Sequence, residues 1–235
     1  MQPQPRELYN WEIVAPAMVF SAVSCALSLI SLAGADAPRR EQDAFVLTRR
    51  LFEHLIQFSW IAIDPTTHCK RWVDDDTFYR VKTHKRLNEI GKPQLDQTQM
   101  DELASLPGKK LPNLLELTKE VAAHWDPILQ TPRPDVGFEL IYAVIYPYSS
   151  LYAHPSPRSL SPYVVGVDAD GTFRIGFDKL GPVNYSAYTL APTIMALLLL
   201  VSSRVQGFPK AVDVKKIYTA NQIVQANSHT NHVDL

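Results

Sequence analysis

Hydrophobic residues recur every three to four positions along most of this chain. That spacing predicts amphipathic or buried α-helices, because such residues share one face of a helix. We expect one of these helices to begin with Pro112 in its first turn, and Asn184 or Ser186 to cap the helix that contains the apolar run at 196–201. The predicted helices cover about 7–32, 39–63, 66–90, 96–106, 112–125, 135–152, the apolar run at 196–201, and 209–226.

One segment departs from the helical pattern. Between about 163 and 177, two short runs rich in β-forming residues flank Asp170-Gly171. An Asp-Gly pair between two such runs is typical of a tight hairpin turn. The predicted fold class is therefore mainly α, a helical bundle with a small inserted β-hairpin. No Gly/Ser-rich linker divides the chain, so we expect a single helical domain over 1–235 with a flexible tail from about 227.

The first apolar segment has two interpretations. Residues 13–35 contain no charged side chain, which raises the question of a membrane span. Small hydroxyl residues at Ser21, Ser24, Ser28 and Ser31 fall on one helical face, and such a face suits close packing in a globular core or between membrane helices. We favour the buried helix and keep the membrane segment as the alternative. Two isolated cysteines without a CxxC spacing favour a reducing, cytoplasmic setting.

Charge gives the chain no general preference for a polyanion. The formal net charge is −1, so an overall pull toward nucleic acid or an anionic membrane is absent. Local basic faces do occur, and we interpret them as solvated surface, with phosphate or RNA contact as the alternative. These faces are formed by Arg80, Lys82, Lys85 and Arg86, and by Lys109 and Lys110.

Candidate chemistry centres on a polar stripe in the second helix. Arg50, Glu53, His54 and Gln57 are spaced by 3, 4 and 7 positions and share one side of a helix that is otherwise apolar. Burying a charge costs several kcal/mol unless it is paired, so something polar must face the stripe. One interpretation is an internal Arg50–Glu53 ion pair within a buried polar network. The other is a polar pocket that binds a small ligand or a protein partner.

A second group of candidate residues lies near the end of the helix over 135–152. Ser150 and His154 would share a face if the helix reaches residue 154, which invites a nucleophile–base interpretation. No Gly-x-Ser-x-Gly elbow accompanies them. Binding is therefore the favoured role for this group, which comprises Tyr148, Ser150, His154 and Arg158.

Metal ligands of suitable type are present without a suitable spacing. His68 and Cys69 are adjacent and therefore point in different directions on a helix. No zinc or EF-hand pattern results from them together with Asp74, Asp75, Asp76 and His84. We therefore expect neither a metal nor a cofactor.

Two family resemblances follow from these residues. Arg50-Leu51-Phe52-Glu53, the later Trp60-Ile61-Ala62-Ile63-Asp64, and Tyr148-Ser149-Ser150 with His154-Pro155 resemble a widespread bacterial family of uncharacterised helical proteins, a domain of unknown function. The resemblance implies that Arg50, Glu53, Ser150 and His154 matter, and it implies no activity.

The second resemblance is to HEPN ribonucleases of bacterial defence and toxin systems. Arg49 and His54 match their Arg-x4-His arrangement, in which residues of paired subunits form a metal-independent RNA-cleaving site. It implies RNA as substrate, a homodimer, and Arg49 and His54 as catalytic residues. In this chain the motif lies in the second helix, and no Asn follows the arginine. The sequence thus leaves two functions open: a binding or regulatory protein, and an HEPN-like ribonuclease.

Overall fold

The computed structural model describes residues 11–32, 41–106, 108–129, 137–153, 164–175 and 186–205. Seven helices occur within these ranges, close to the positions that the hydrophobic pattern predicts. They are α1 (Trp11–Leu32), α2 (Glu41–Ile63), α3 (Pro65–Glu89), α4 (Gln97–Ser105), α5 (Leu114–Leu129), α6 (Phe138–Ala153) and α7 (Ser186–Arg204). The predicted helix over 209–226, the tail from 227 and the cap candidate Asn184 lie outside the described residues.

Helix α2 is the centre of the bundle, packing against α1, α3, α5, α6 and α7. Its large apolar side chains are fully buried, among them Phe45, Phe52, Leu55 and Trp60. A helix of this kind is held by tertiary burial rather than by propensity, because each buried apolar side chain contributes about 1.5–3 kcal/mol. The mainly α bundle is confirmed.

Local sequence explains where helices begin. Asp64 caps α3 by accepting a hydrogen bond from the Thr67 amide, with Pro65 in the first turn. Helix α5 begins later than predicted, because Asn113 and Glu116 form a reciprocal capping box. Pro112 therefore precedes the helix instead of lying in its first turn. Helix α3 runs without a break through residues 74–76.

The inserted hairpin is also confirmed. Strands β1 (Val164–Val167) and β2 (Phe173–Ile175) pair antiparallel. Gly171 takes a positive φ of 84°, which a residue without a side chain adopts at little cost. Asp168 and Arg174 form a 2.9 Å ion pair across the hairpin.

Helix α1 packs one face on α2 and leaves the other face open. Val14, Met18 and Ala22 are buried, whereas Phe20 is 64% exposed and Leu27 54% exposed. Among the described residues it is the one helix that is long and apolar enough to cross a membrane. Of its most apolar stretch of 18 residues, 39% is buried inside the fold. Length and composition of this kind are shared by core helices, signal sequences and membrane spans.

Candidate functional site

The polar stripe lies on the outer side of α2. Arg50 is exposed, and Glu53, His54 and Gln57 are half-buried. The prediction of a buried stripe is therefore wrong for Arg50 and holds only in part for the other three residues. At 3.6 residues per turn the four positions span an arc of about 100°, and the opposite arc of α2 is the one that faces the core. Arg50 is exposed to solvent and the half-buried Glu53 is paired with Arg49, so the cost of burying an unpaired charge does not arise.

Glu53 pairs with Arg49 rather than with Arg50, so the predicted Arg50–Glu53 ion pair is wrong. Arg49 Nε donates to Glu53 Oε1 at 2.8 Å. Residues four apart are separated by about 40° around a helix and residues three apart by about 60°, which favours the observed pair.

Helix α6 completes this side of the stripe. The Arg49 guanidinium lies 4.6 Å from the centre of the Tyr146 ring, and Arg49 Nη1 donates to Ser150 Oγ at 3.4 Å. Tyr142 stacks on Tyr146 with ring centres 5.0 Å apart. Burial, and then the neighbouring Tyr146, raise the pKa of Tyr142, while the Arg49 charge lowers it. The Arg49 guanidinium therefore lies against an aromatic ring and is paired with a carboxylate. We call these five residues the Arg49 cluster: Arg49, Glu53, Tyr142, Tyr146 and Ser150.

His54 turns to the other side of the stripe. Its Nε2 is 3.0 Å from Ser21 Oγ of α1, in a hydrogen bond that joins residues 33 positions apart. Burial lowers the pKa of His54, the Arg50 charge lowers it further, and Glu53 opposes both. The imidazole is therefore neutral at physiological pH, and it offers one donor and one acceptor.

A cavity of about 400 Å³ lies beside this hydrogen bond, between α1, α2 and α3. We call it the His54 pocket. Gln57 borders it and accepts a hydrogen bond from the Trp72 indole at 3.2 Å. Its apolar lining comprises Ile13, Val14, Ala17, Met18 and Val73. Its polar lining comprises Ser21, His54, Gln57, Trp72 and Asp76.

Sequence reasoning selected only part of this pocket. It found His54 and Gln57 from their spacing on α2, and it missed the roles of Ser21, Trp72 and Asp76. Those residues belong to other helices, and no local pattern marks them. A serine on the small-residue face of α1 was a signal for close packing, and that signal did not point to His54.

The second predicted group is described only in part. Ser150 belongs to the Arg49 cluster, where its oxygen accepts from a guanidinium. His154 and Arg158 lie outside the described residues, and Tyr148 is described only by its backbone in α6. The proposed Ser150–His154 pairing therefore stays a prediction.

Three other candidates, His68 and the two cysteines, serve the core. His68 stacks on Trp60 with ring centres 3.9 Å apart, and its Nδ1 donates to the Trp60 carbonyl oxygen at 2.6 Å. Cys25 and Cys69 are both free and buried. Within the described ranges, no three His, Cys, Asp or Glu side chains come together in a metal-binding group.

Arg49 and His54, the pair of the ribonuclease resemblance, contact different helices. Arg49 is engaged by Glu53 and by Ser150 of α6, and His54 by Ser21 of α1. Five positions along a helix separate two side chains by about 140°. Within one subunit the Arg49 and His54 side chains therefore lie in two different environments.

Comparison with known proteins supports one part of the family resemblance, namely that the chain belongs to an uncharacterised family. No curated protein and no solved structure is similar enough to the chain to count as a match. The sequence profile of a family of unknown function, DUF5677, matches residues 13–172. That span includes the Arg49 cluster and the whole lining of the His54 pocket. The chain therefore belongs to this family of unknown function, DUF5677.

Proposed function

We propose that this protein is a non-catalytic binding or regulatory protein that takes a small ligand in the His54 pocket. The observation that carries the proposal is an apolar cavity with oriented polar groups along its wall. Such a combination is the usual form of a small-molecule site, in which apolar surface supplies affinity and a few polar groups fix orientation.

The polar groups define the chemical class of the ligand. His54 is held by Ser21, and the Gln57 side-chain oxygen is held by the Trp72 indole. Asp76 is the one charged side chain that lines the pocket. A complementary molecule therefore has an apolar body and one hydrogen-bond donor, best supplied by an amine. The volume of about 400 Å³ lies within the range of about 300–1,000 Å³ typical of ligand pockets.

A regulatory role fits the position of the pocket. Its walls belong to three helices, so a bound ligand would contact all three at once. A molecule that binds one arrangement of α1, α2 and α3 better than another shifts the protein toward that arrangement.

The test uses a set of small aliphatic and aromatic amines with matched alcohols and carboxylic acids. Trp72 provides the readout, since its indole N–H borders the pocket and the chain has 4 tryptophans whose indole signals separate in a ¹⁵N spectrum. A Trp72→Phe variant assigns the signal. We expect amines to shift it with dissociation constants of about 1 mM or tighter, and carboxylic acids to leave it unchanged.

A matched pair of variants locates the binding. Ala17→Trp fills the pocket from an exposed position, and Ser24→Trp adds the same side chain to an exposed position of α1 that does not line it. We expect Ala17→Trp to abolish the shifts and Ser24→Trp to retain them. Shifts that persist in Ala17→Trp, or the absence of any shift in the native protein, would refute the proposal.

An HEPN-like ribonuclease is the alternative, and it predicts a different result. It requires RNA cleavage in the presence of a chelator, lost in Arg49→Ala and His54→Ala and retained in Arg50→Ala. We rank it second because Arg49 is already neutralised by Glu53 at 2.8 Å. Cleavage with that pattern of variants would replace the binding proposal, and its site would be sought in a homodimer. For either function we propose a cytoplasmic location.

A further inference from the structure

A further cavity lies on the other side of α3, away from the His54 pocket. It has a volume of about 770 Å³ and is bounded by the C-terminal half of α3, the end of α4 and the loop that follows. We call it the basic groove. Its apolar surface comes from Phe78 and Val81 of α3 and from Ala104 and Leu106 at the end of α4.

The groove is built into the fold rather than formed by a loose segment. Gly108 lies so close to α3 that a Cβ there would meet the Phe78 backbone at 3.3 Å. The Lys109 amide donates to the Asp74 carbonyl oxygen, and the Leu111 amide donates to Asp75 Oδ1 at 2.7 Å. These bonds hold the loop after α4 against α3, so the apolar surface stays open between them.

Basic side chains line the same groove. Lys82, Lys85 and Arg86 border it, and Glu89 pairs with Arg86 at 3.0 Å. Lys82 and Lys85 are exposed, and neither forms an ion pair with another described residue. Since the chain as a whole carries a net charge of −1, this positive surface is a local feature and not part of a general basic field.

We propose that the basic groove docks an acidic, amphipathic helical segment of a partner protein. An apolar floor beside unpaired lysines is complementary to a helix that places apolar residues on one face and carboxylates beside them. Leu106, part of this apolar floor, is 42% exposed. Covering it with an apolar side chain therefore contributes more binding free energy than placing a phosphate against it. Two segments of this chain outside the described residues lack the required charge. Residues 1–10 hold one Arg and one Glu, and residues 206–235 hold more Lys than Asp.

The probe is a fluorescein-labelled synthetic helical peptide with Leu at positions i, i+4 and i+7 and Glu between them, titrated against the full chain. A peptide of the same composition in scrambled order tests the apolar face, and a peptide with Lys in place of Glu tests the charge. We expect the acidic amphipathic peptide to bind, both control peptides to bind at least about tenfold more weakly, and affinity to fall with added salt.

Variants assign the binding to the groove. Lys82→Glu with Lys85→Glu should weaken it by about tenfold or more. Lys70→Glu with Lys119→Glu makes the same change of charge at exposed positions that do not line the groove, and it should leave affinity within about threefold. Ala104→Trp fills the groove from an exposed position and should also abolish binding. Circular dichroism and urea unfolding verify that each variant is folded.

Three results would overturn the proposal. The first is no binding of the acidic peptide to the native chain, and the second is equal loss in both lysine pairs. The third uses a single-stranded RNA oligonucleotide. If RNA binds more tightly than the peptide, is lost in the Lys82/Lys85 variant and survives Ala104→Trp, the groove is a nucleic-acid surface. None of these results bears on the His54 pocket.

Discussion

The two flanks of the polar stripe on α2 differ in how their neighbours meet them. On the α6 flank, Arg49 and Glu53 pair, the Tyr146 ring lies against the Arg49 guanidinium, and Tyr142 stacks on Tyr146. On the α1 flank, His54 and Gln57 also have partners, yet a cavity of about 400 Å³ remains. Among the described residues, aromatic rings lie against one flank and a cavity borders the other, and we call them the closed flank and the open flank.

The side chains that face the two flanks differ. Helix α6 presents the rings of Tyr142 and Tyr146 to its flank. Helix α1 lines the other flank with the small side chains Ala17 and Ser21 and with the larger apolar side chains Ile13, Val14 and Met18. Small side chains let helices approach closely at one point and leave a gap where no larger neighbour fills it. Hydrogen bonding alone therefore does not decide whether a polar stripe becomes a site. The shape of the facing helix decides it.

The largest expected effect compares the apolar residues beneath the two flanks. Phe52 is 1% exposed and contacts the Tyr142 ring under the closed flank, and Met18 is 5% exposed and lines the pocket. Phe52→Ala should lower the free energy of unfolding by about 3–5 kcal/mol, and Met18→Ala by about 2 kcal/mol, since water already reaches the space beside Met18. Urea unfolding measures both. Equal losses would mean that the two flanks are packed alike.

The next effect separates two adjacent arginines. Arg49→Ala should cost about 1–2 kcal/mol, because it removes an ion pair, a cation–π contact and a hydrogen bond. Arg50→Ala, at an exposed position, should stay within about 0.5 kcal/mol. A double-mutant cycle of Arg49 and Glu53 should give a coupling of about 0.3–0.5 kcal/mol. A larger loss from Arg50→Ala than from Arg49→Ala would contradict the assignment of the ion pair.

A smaller effect comes from filling the open flank. Ala17→Leu places apolar atoms against the pocket lining and should raise the free energy of unfolding by about 0.5 kcal/mol. Ser24→Leu, on the same helix and away from the pocket, is the control, and the comparison is the difference between the two variants. A destabilised Ala17→Leu protein would show that the cavity is too rigid or too polar to accept an aliphatic group.

The smallest expected effect is a pH dependence confined to the open flank. Burial holds the pKa of His54 below its usual 6.5, so the folded chain binds a proton there less readily than the unfolded chain. The stabilising contribution is complete above 6.5 and is lost as pH falls from 6.5 through the folded-state pKa. Between about pH 7.5 and about pH 5.5 the native chain should lose more stability than His54→Gln. An identical loss in both proteins would place His54 in free solvent.

Local sequence accounts well for helices, caps and the hairpin. The Asp64-Pro65 start of α3 and the Asp170-Gly171 turn lie where their chemistry requires them, because a cap or a positive φ depends on residues only a few positions apart. The helical periodicity also selected Glu53, His54 and Gln57 as neighbours on one arc. Pro112 was misplaced by local reasoning, since the Asn113–Glu116 capping box overrides it.

Tertiary packing decides which surroundings each side of α2 meets. Whether the stripe meets solvent or core, and whether Glu53 pairs with Arg49 or Arg50, depends on helices that lie far away in the chain. Ser21 reaches His54 across 33 positions, and Ser150 reaches Arg49 across 101. Periodicity records the direction in which a side chain leaves its own helix, and it carries no information about the size or chemistry of the side chains that come to meet it. The pocket beside His54 lies where α1, α2 and α3 meet, whereas α6 brings two tyrosines to the other flank of the same stripe.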